Sequence, residues 1–161
     1  MKVAPAATLL NTRIMKKKDI KMALDALKKV PVAKIKDAKL KQAIIRSYMQ
    51  LLAERSKLQE QEDGIRALFL DQYQDEQKEV SKLFIELQNT EDGDKRKAIS
   101  AELEKHGSCI MAADEMAKEL KKINDEPVSI DAIDEESFIK AYGQIGDVDL
   151  SVLEAIYPLL K

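Results

Sequence analysis

DAKLKQAIIRSYMQLLAERSKLQEQEDGIRALFLDQYQDEQKEVSKLFIELQNTEDGD (residues 37–94) contains no proline and ends in a cluster of turn formers. Leu40, Ile44, Tyr48, Leu51, Arg55, Leu58, Glu62, Ile65, Phe69, Gln72, Glu76, Val80, Leu83 and Leu87 recur at steps of three or four. That is the spacing of one helical face. Four of these positions are polar, so the seam is sound at both ends and weak between Arg55 and Glu76. Gly64 lies in the weak part and costs a helix about 1 kcal/mol relative to Ala. Two readings fit: one very long helix over about 37–88, or two helices meeting near Gly64. The lack of proline favours the first.

Asn89-Thr90-Glu91-Asp92-Gly93-Asp94 reads as a turn. Beyond it, Ile99, Leu103, His106, Ile110, Ala113, Ala117 and Leu120 form a second stripe, predicting one helix over about Lys95 to Asn124. Two long stripes joined by a tight turn make antiparallel neighbours. The second arm is the shorter, so the face with Ile44, Tyr48, Leu51 and Leu52 needs another cover. The chain's own ends or a second subunit can supply it.

The flanks are shorter elements. Ala7 to Met15 suits a strand or an extended arm. Asp19 can cap a helix to about Lys29 that carries Ile20, Leu24 and Leu27 on one face, and Pro31 breaks it. Pro127 ends the long second helix. Val128 and Ile130 alternate with Ser129 and Asp131, a strand signal that can pair with Leu9 to Ile14 as a two-stranded ribbon. Asp134 caps a helix with Phe138 and Tyr142 on one face, stopped by Gly143 and Gly146. Asp149 or Ser151 caps a last one. The fold class is therefore mostly α: a long, coiled-coil-like antiparallel helical hairpin with short terminal helices and a small β ribbon. It is read as a single domain over 1–161, in three parts at 1–36, 37–124 and 125–161.

Composition agrees. Of 161 residues, 35% are charged and 4% aromatic, with 5 Gly and 4 Pro, which favours helices over a sandwich or barrel. The net charge is −2, yet residues 1–60 hold 15 Lys/Arg against 5 Asp/Glu, and residues 61–161 hold 12 against 24. The simplest account is that the basic part packs beside the acidic part. A lone cysteine permits no internal disulfide, no apolar run approaches the ~18–20 residues of a membrane span, and the lysines at 16–18 follow the first apolar patch, the wrong order for a signal peptide. The expected location is the cytoplasm.

No catalytic constellation emerges. His106 and Cys109, the only residues of their kinds, lie three apart on one helix and fall short of a zinc set or of a nucleophile and base from separate elements. Asp92-Gly93-Asp94 is followed by Lys95, Arg96 and Lys97 where a calcium loop needs oxygen ligands. No glycine-rich phosphate loop is present, because the GQIG at 143–146 ends a helix. The chain is read as a non-enzyme with no cofactor and no metal. Lys16, Lys17, Lys18, Lys34, Lys36, Lys39 and Lys41 are candidate phosphate contacts, but arginines are few there and no aromatics are interleaved for base stacking.

The layout of ATLLNTRIM (7–15), a short helix with a lysine-rich end, two long charged helices, EPVSID (126–131) and DVDLSVLEAIYPLLK (147–161) resembles a family of small phage- and prophage-encoded proteins of unknown function. That resemblance implies a phage context and carries no catalytic residues. The leading expectation is a non-catalytic interaction or assembly module that self-associates or binds another protein through Ile44, Tyr48, Leu51 and Leu52. Non-specific nucleic-acid binding by the lysines is the alternative.

Overall fold

The long helix starts where a side chain makes it start. The Asp37 carboxylate accepts the Leu40 N–H at 3.1 Å, supplying a partner to one of the orphan donors of the first turn. In this computed structural model, which describes residues 11–161, helices dominate and a single two-stranded sheet is present among the described residues. The strands are β1 (Thr12–Lys16) and β2 (Pro127–Asp131). The helices are α1 (Ile20–Lys29), α2 (Ala38–Asn89), α3 (Gly93–Glu104), α4 (Gly107–Asn124), α5 (Glu135–Ile145) and α6 (Leu150–Ile156).

The expected long helix is α2, and it runs through Gly64 without a break. A Cβ at Gly64 would meet nothing within 4 Å, so this glycine is neither a hinge nor a close approach. The departure from helical geometry comes at Tyr73 instead, with φ −128° and ψ 17°. Neither a proline nor a glycine marks it in the sequence. Its effect is on the seam: Tyr73 is half-buried and Gln72 exposed, so the packed face steps through Phe69, Tyr73, Glu76, Val80 and Leu83. One of the four polar interruptions thereby leaves the seam.

The second arm also differs from the expectation. It is two helices, α3 and α4, separated at Lys105 and His106. There the Lys105 and His106 N–H groups bond back three residues, to the carbonyls of Glu102 and Leu103, tightening the turn before α4 begins at Gly107. The connection from α2 to α3 is the polar turn the sequence marks. Asp92 Oδ1 accepts the N–H groups of Asp94 and Lys95, and Arg96 Nη1 donates to the Leu87 and Thr90 carbonyls at 2.6 and 2.8 Å.

Contacts divide the chain into two compact units. One comprises the described residues up to Gln59 together with Asn124–Lys161, the other Glu60–Ile123. In the first, β1 and β2 pair antiparallel, Thr12 opposite Asp131 and Lys16 opposite Pro127. The described strand is Thr12–Lys16, and the expectation for residues 7–10 lies outside the described residues. Leu24, Ile44, Leu51, Ile130, Ile133, Phe138, Ile156 and Leu159 are fully buried together. The chain after α6 returns to pair with Ile133, whose N–H donates to the Leu159 carbonyl at 2.8 Å. Asp134 caps α5 and Asp149, not Ser151, caps α6. Gly143 lies inside α5, which ends only before Gly146, because a lone glycine weakens a helix without stopping it.

The second unit is the antiparallel hairpin. Its fully covered residues are Phe69, Val80, Leu103 and Cys109, with Tyr73, Leu83, Leu87, Ile99, Ile110 and Met116 packed against them.

Candidate functional site

The face expected to bind a partner is occupied. Ile44 is 1% exposed and Leu51 0%, both inside the first unit's core with residues of α1, β2, α5 and α6. Tyr48 and Leu52 are half-buried against the same core. The correction has a simple cause. Residues from α1, β2, α5 and α6 fold over the first half of α2. Between Ile44 and Leu51 lies Ser47, the one fully buried polar side chain among the described residues, whose hydroxyl donates to the Asp131 carbonyl at 2.8 Å. Gln50 Oε1 accepts the Asp131 N–H at 2.7 Å.

What α2 leaves open is the neighbouring face. Ile45 is 50% exposed and Met49 59%, one turn apart, and Leu52 continues their line three residues on. The sequence carried this signal. Two apolar residues, Ile44 and Ile45, stand side by side, and a single helical face has room for only one of them.

The lysines fall into two groups. Lys17 Nζ lies 2.9 Å from Glu126 Oε2 and Lys18 Nζ 3.9 Å from Asp125 Oδ1. Arg46 lies 3.8 Å from Asp131. Lys39 helps to hold the Asp134 carboxyl below its ordinary range, although the larger cause is the hydrogen bonding from Ser137. Each of these acids comes from residues 125–134, so basic and acidic parts of the sequence do meet within the first unit. Exposed ion pairs of this kind each contribute little to stability, about 0–1 kcal/mol. Lys16, Lys34, Lys36 and Lys41 make no ion pair among the described residues.

Beside α2 the first unit has an open groove of about 1140 Å³, bordered by Asp37, Lys39, Arg46, Asp131, Asp134 and Lys161 among others. Three acidic and three basic side chains line it, so their charges balance and favour neither a phosphate nor a cation. Asp131 and Asp134 already accept hydrogen bonds or face a basic group.

In the hairpin, His106 Nδ1 lies 2.9 Å from Glu76 Oε1 and Nε2 4.0 Å from Glu79 Oε1. Glu76 is thus a seam carboxylate with a partner across the hairpin, which accounts for a polar residue at a packed position. Cys109 is buried; burial pushes its thiol up, and the charge on Glu76 adds to the shift. A covered thiol held in its protonated form is a poor nucleophile. Among the described residues, no group of three or more His, Cys, Asp or Glu side chains is placed to hold a metal ion. Asp92, in the calcium-like fragment, uses its carboxylate to cap α3. No helix among the described residues is long and apolar enough to cross a membrane.

The chain matches no family model, no curated protein and no solved structure. Its function must therefore be argued from these surfaces.

Proposed function

We propose that this protein is a non-catalytic protein–protein interaction or assembly module, and that α2 presents its contact through Ile45, Met49 and Leu52. The observation that carries the reading is the exposure of Ile45 and Met49 one turn apart, on a helix whose adjacent face is buried at Ile44 and Leu51. Isolated exposed apolar residues are ordinary, whereas a line of them along one helix suits a partner surface. The resemblance to small phage- and prophage-encoded proteins adds a phage context to the proposal.

The test is the mass of the full chain by light scattering at two salt concentrations, for the wild type and for Ile45→Lys with Met49→Lys. The expected result is an assembly that survives high salt in the wild type and is reduced in the variant, with helix content unchanged. A variant as large as the wild type removes the α2 surface. A monomeric wild type removes self-association and leaves a foreign partner as the reading.

A second reading keeps one observation in its favour. Lys16, Lys34, Lys36 and Lys41 have no ion-pair partner among the described residues, and such lysines suit phosphates. Binding to random-sequence DNA that falls steeply with salt would support it, because released counterions dominate such affinity. No binding at low salt removes it.

A further inference from the structure

The two edges of the small β ribbon are finished differently. Two bonds fix which backbone groups point where: Lys17 N–H donates to the Glu126 carbonyl and Ala132 N–H to the Asn11 carbonyl. In an antiparallel pair, bonded and non-bonded residue pairs alternate. Asn11, Arg13, Met15 and Lys17 therefore turn their N–H and C=O towards β2, and Thr12, Ile14 and Lys16 turn theirs away. On β2 the same count leaves Pro127, Ser129 and Asp131 facing outward.

The outer edge of β2 is closed at both ends. Pro127 has no N–H to offer, and the Asp131 N–H and C=O are taken by Gln50 and Ser47 of α2, which leaves only the polar Ser129 between them. The outer edge of β1 is open at its centre. No described residue meets the Ile14 N–H or C=O, and the Ile14 side chain is 71% exposed. An unpaired edge carrying an apolar residue is a template for another strand.

We infer that β1 pairs antiparallel with β1 of a second copy, about a twofold axis at Ile14. The segment Thr12-Arg13-Ile14-Met15-Lys16 complements itself in that register. Ile14 faces Ile14 of the other copy, Thr12 faces Lys16, and Arg13 faces Met15, so no two like charges stand opposite. Antiparallel pairing centred on Ile14 gives its N–H and C=O their missing partners and joins the two ribbons into one four-stranded sheet. Five residues a side make a small contact, so the dimer is concentration-dependent. The contact deepens the assembly reading by naming its partner as a second copy, and it does not use Ile45 or Met49.

The test combines mass with register, on the full chain. Light scattering over a rising protein concentration is expected to show a monomer–dimer equilibrium. Ile14→Pro removes an N–H that has no partner among the described residues and is expected to abolish the dimer while leaving the thermal melt in place. Should that variant fold poorly, single cysteines read the register instead, at a concentration where the dimer forms. Ile14→Cys is expected to cross-link to itself on mild oxidation. Thr12→Cys mixed with Lys16→Cys is expected to give the mixed dimer in excess of either self-dimer. Cys109 is buried and stays out of the reaction. A chain monomeric at every concentration overturns the inference. So does a dimer in which Ile14→Cys fails to cross-link, or one that Ile14→Pro leaves intact. If such a dimer is lost with Ile45→Lys and Met49→Lys, the α2 surface stands and the strand edge falls; the reverse pattern does the opposite.

Discussion

The first half of α2 is buried by α1 and by elements far away in the sequence, whereas the second half is buried by the helices that follow it directly. Ser47 reaches Asp131, 84 residues further on, and Ile44 and Leu51 pack with Ile130, Phe138 and Ile156. Past Glu60 the cover is α3 and α4, reached through one tight turn. The two arrangements differ in depth. Among the described residues nineteen are buried in the first core and four in the second, so most of their apolar burial, and with it most of the stability, belongs to the first unit. A helix can pass from Gln59 to Glu60 without a break while the parts on either side differ in what holds them.

The largest loss is expected in the deeper core. Leu51→Ala is expected to cost about 3–5 kcal/mol in urea denaturation, because the packed ends cannot collapse around the void. Leu103→Ala, in the shallower core, is expected to cost about 2–3 kcal/mol. Hydrogen exchange would separate the two: Leu103→Ala should expose amides of 60–123 while those around Ile44 and Phe138 stay protected. Loss of protection everywhere would mean that the units unfold as one. Ser47→Ala leaves the Asp131 carbonyl without its donor and is expected to cost about 1 kcal/mol, seen as faster exchange in β2. Gly64→Ala is expected to stabilise by about 0.5–1 kcal/mol, since a Cβ there meets nothing within 4 Å and the backbone is already helical.

The smallest effect is that of pH on the first unit. Hydrogen bonds from Ser137 and Ser151 lower the carboxyls of Asp134 and Asp149, the caps of α5 and α6. A lowered carboxyl contributes stability above its unfolded value, near pH 4, and that contribution is lost as pH falls through the folded value. Between pH 5 and pH 2 the melting temperature of the wild type should therefore fall more than that of Asp134→Asn. Parallel curves would mean that the cap is not linked to folding.

Much of this was legible in residues 37–94. The step of three or four gave α2 and its turn to within a residue or two, and Pro127 with the alternation after it gave β2. The cover of Ile44 and Leu51 was not legible, because periodicity marks a face for burial without saying what buries it. The bend at Tyr73 has no local signature. It moves Tyr73 onto the seam in place of Gln72, a gain that exists only when the second arm is present. The division of the second arm at Lys105 and His106 was obscured in the same way, since His106 fits the stripe perfectly well and its partner Glu76 lies on the other arm. The burial of Ile44 and Leu51, expected at a partner surface, was not legible either. Ile44 and Ile45 are alike in sequence, and only packing separates the covered one from the open one.

The bond from Ser47 to Asp131 has a consequence for the order of events on the ribosome. At ~5–20 residues per second, the 84 residues that separate the two take several seconds to synthesise. Throughout that interval Ile44 and Leu51 are made but lack their partners from β2, α5 and α6. The hairpin, whose contacts are local, is complete first. The nascent chain therefore carries an uncovered apolar face on a helix that is already forming, the kind of surface that chaperones recognise, until β2, α5 and α6 emerge and close over it.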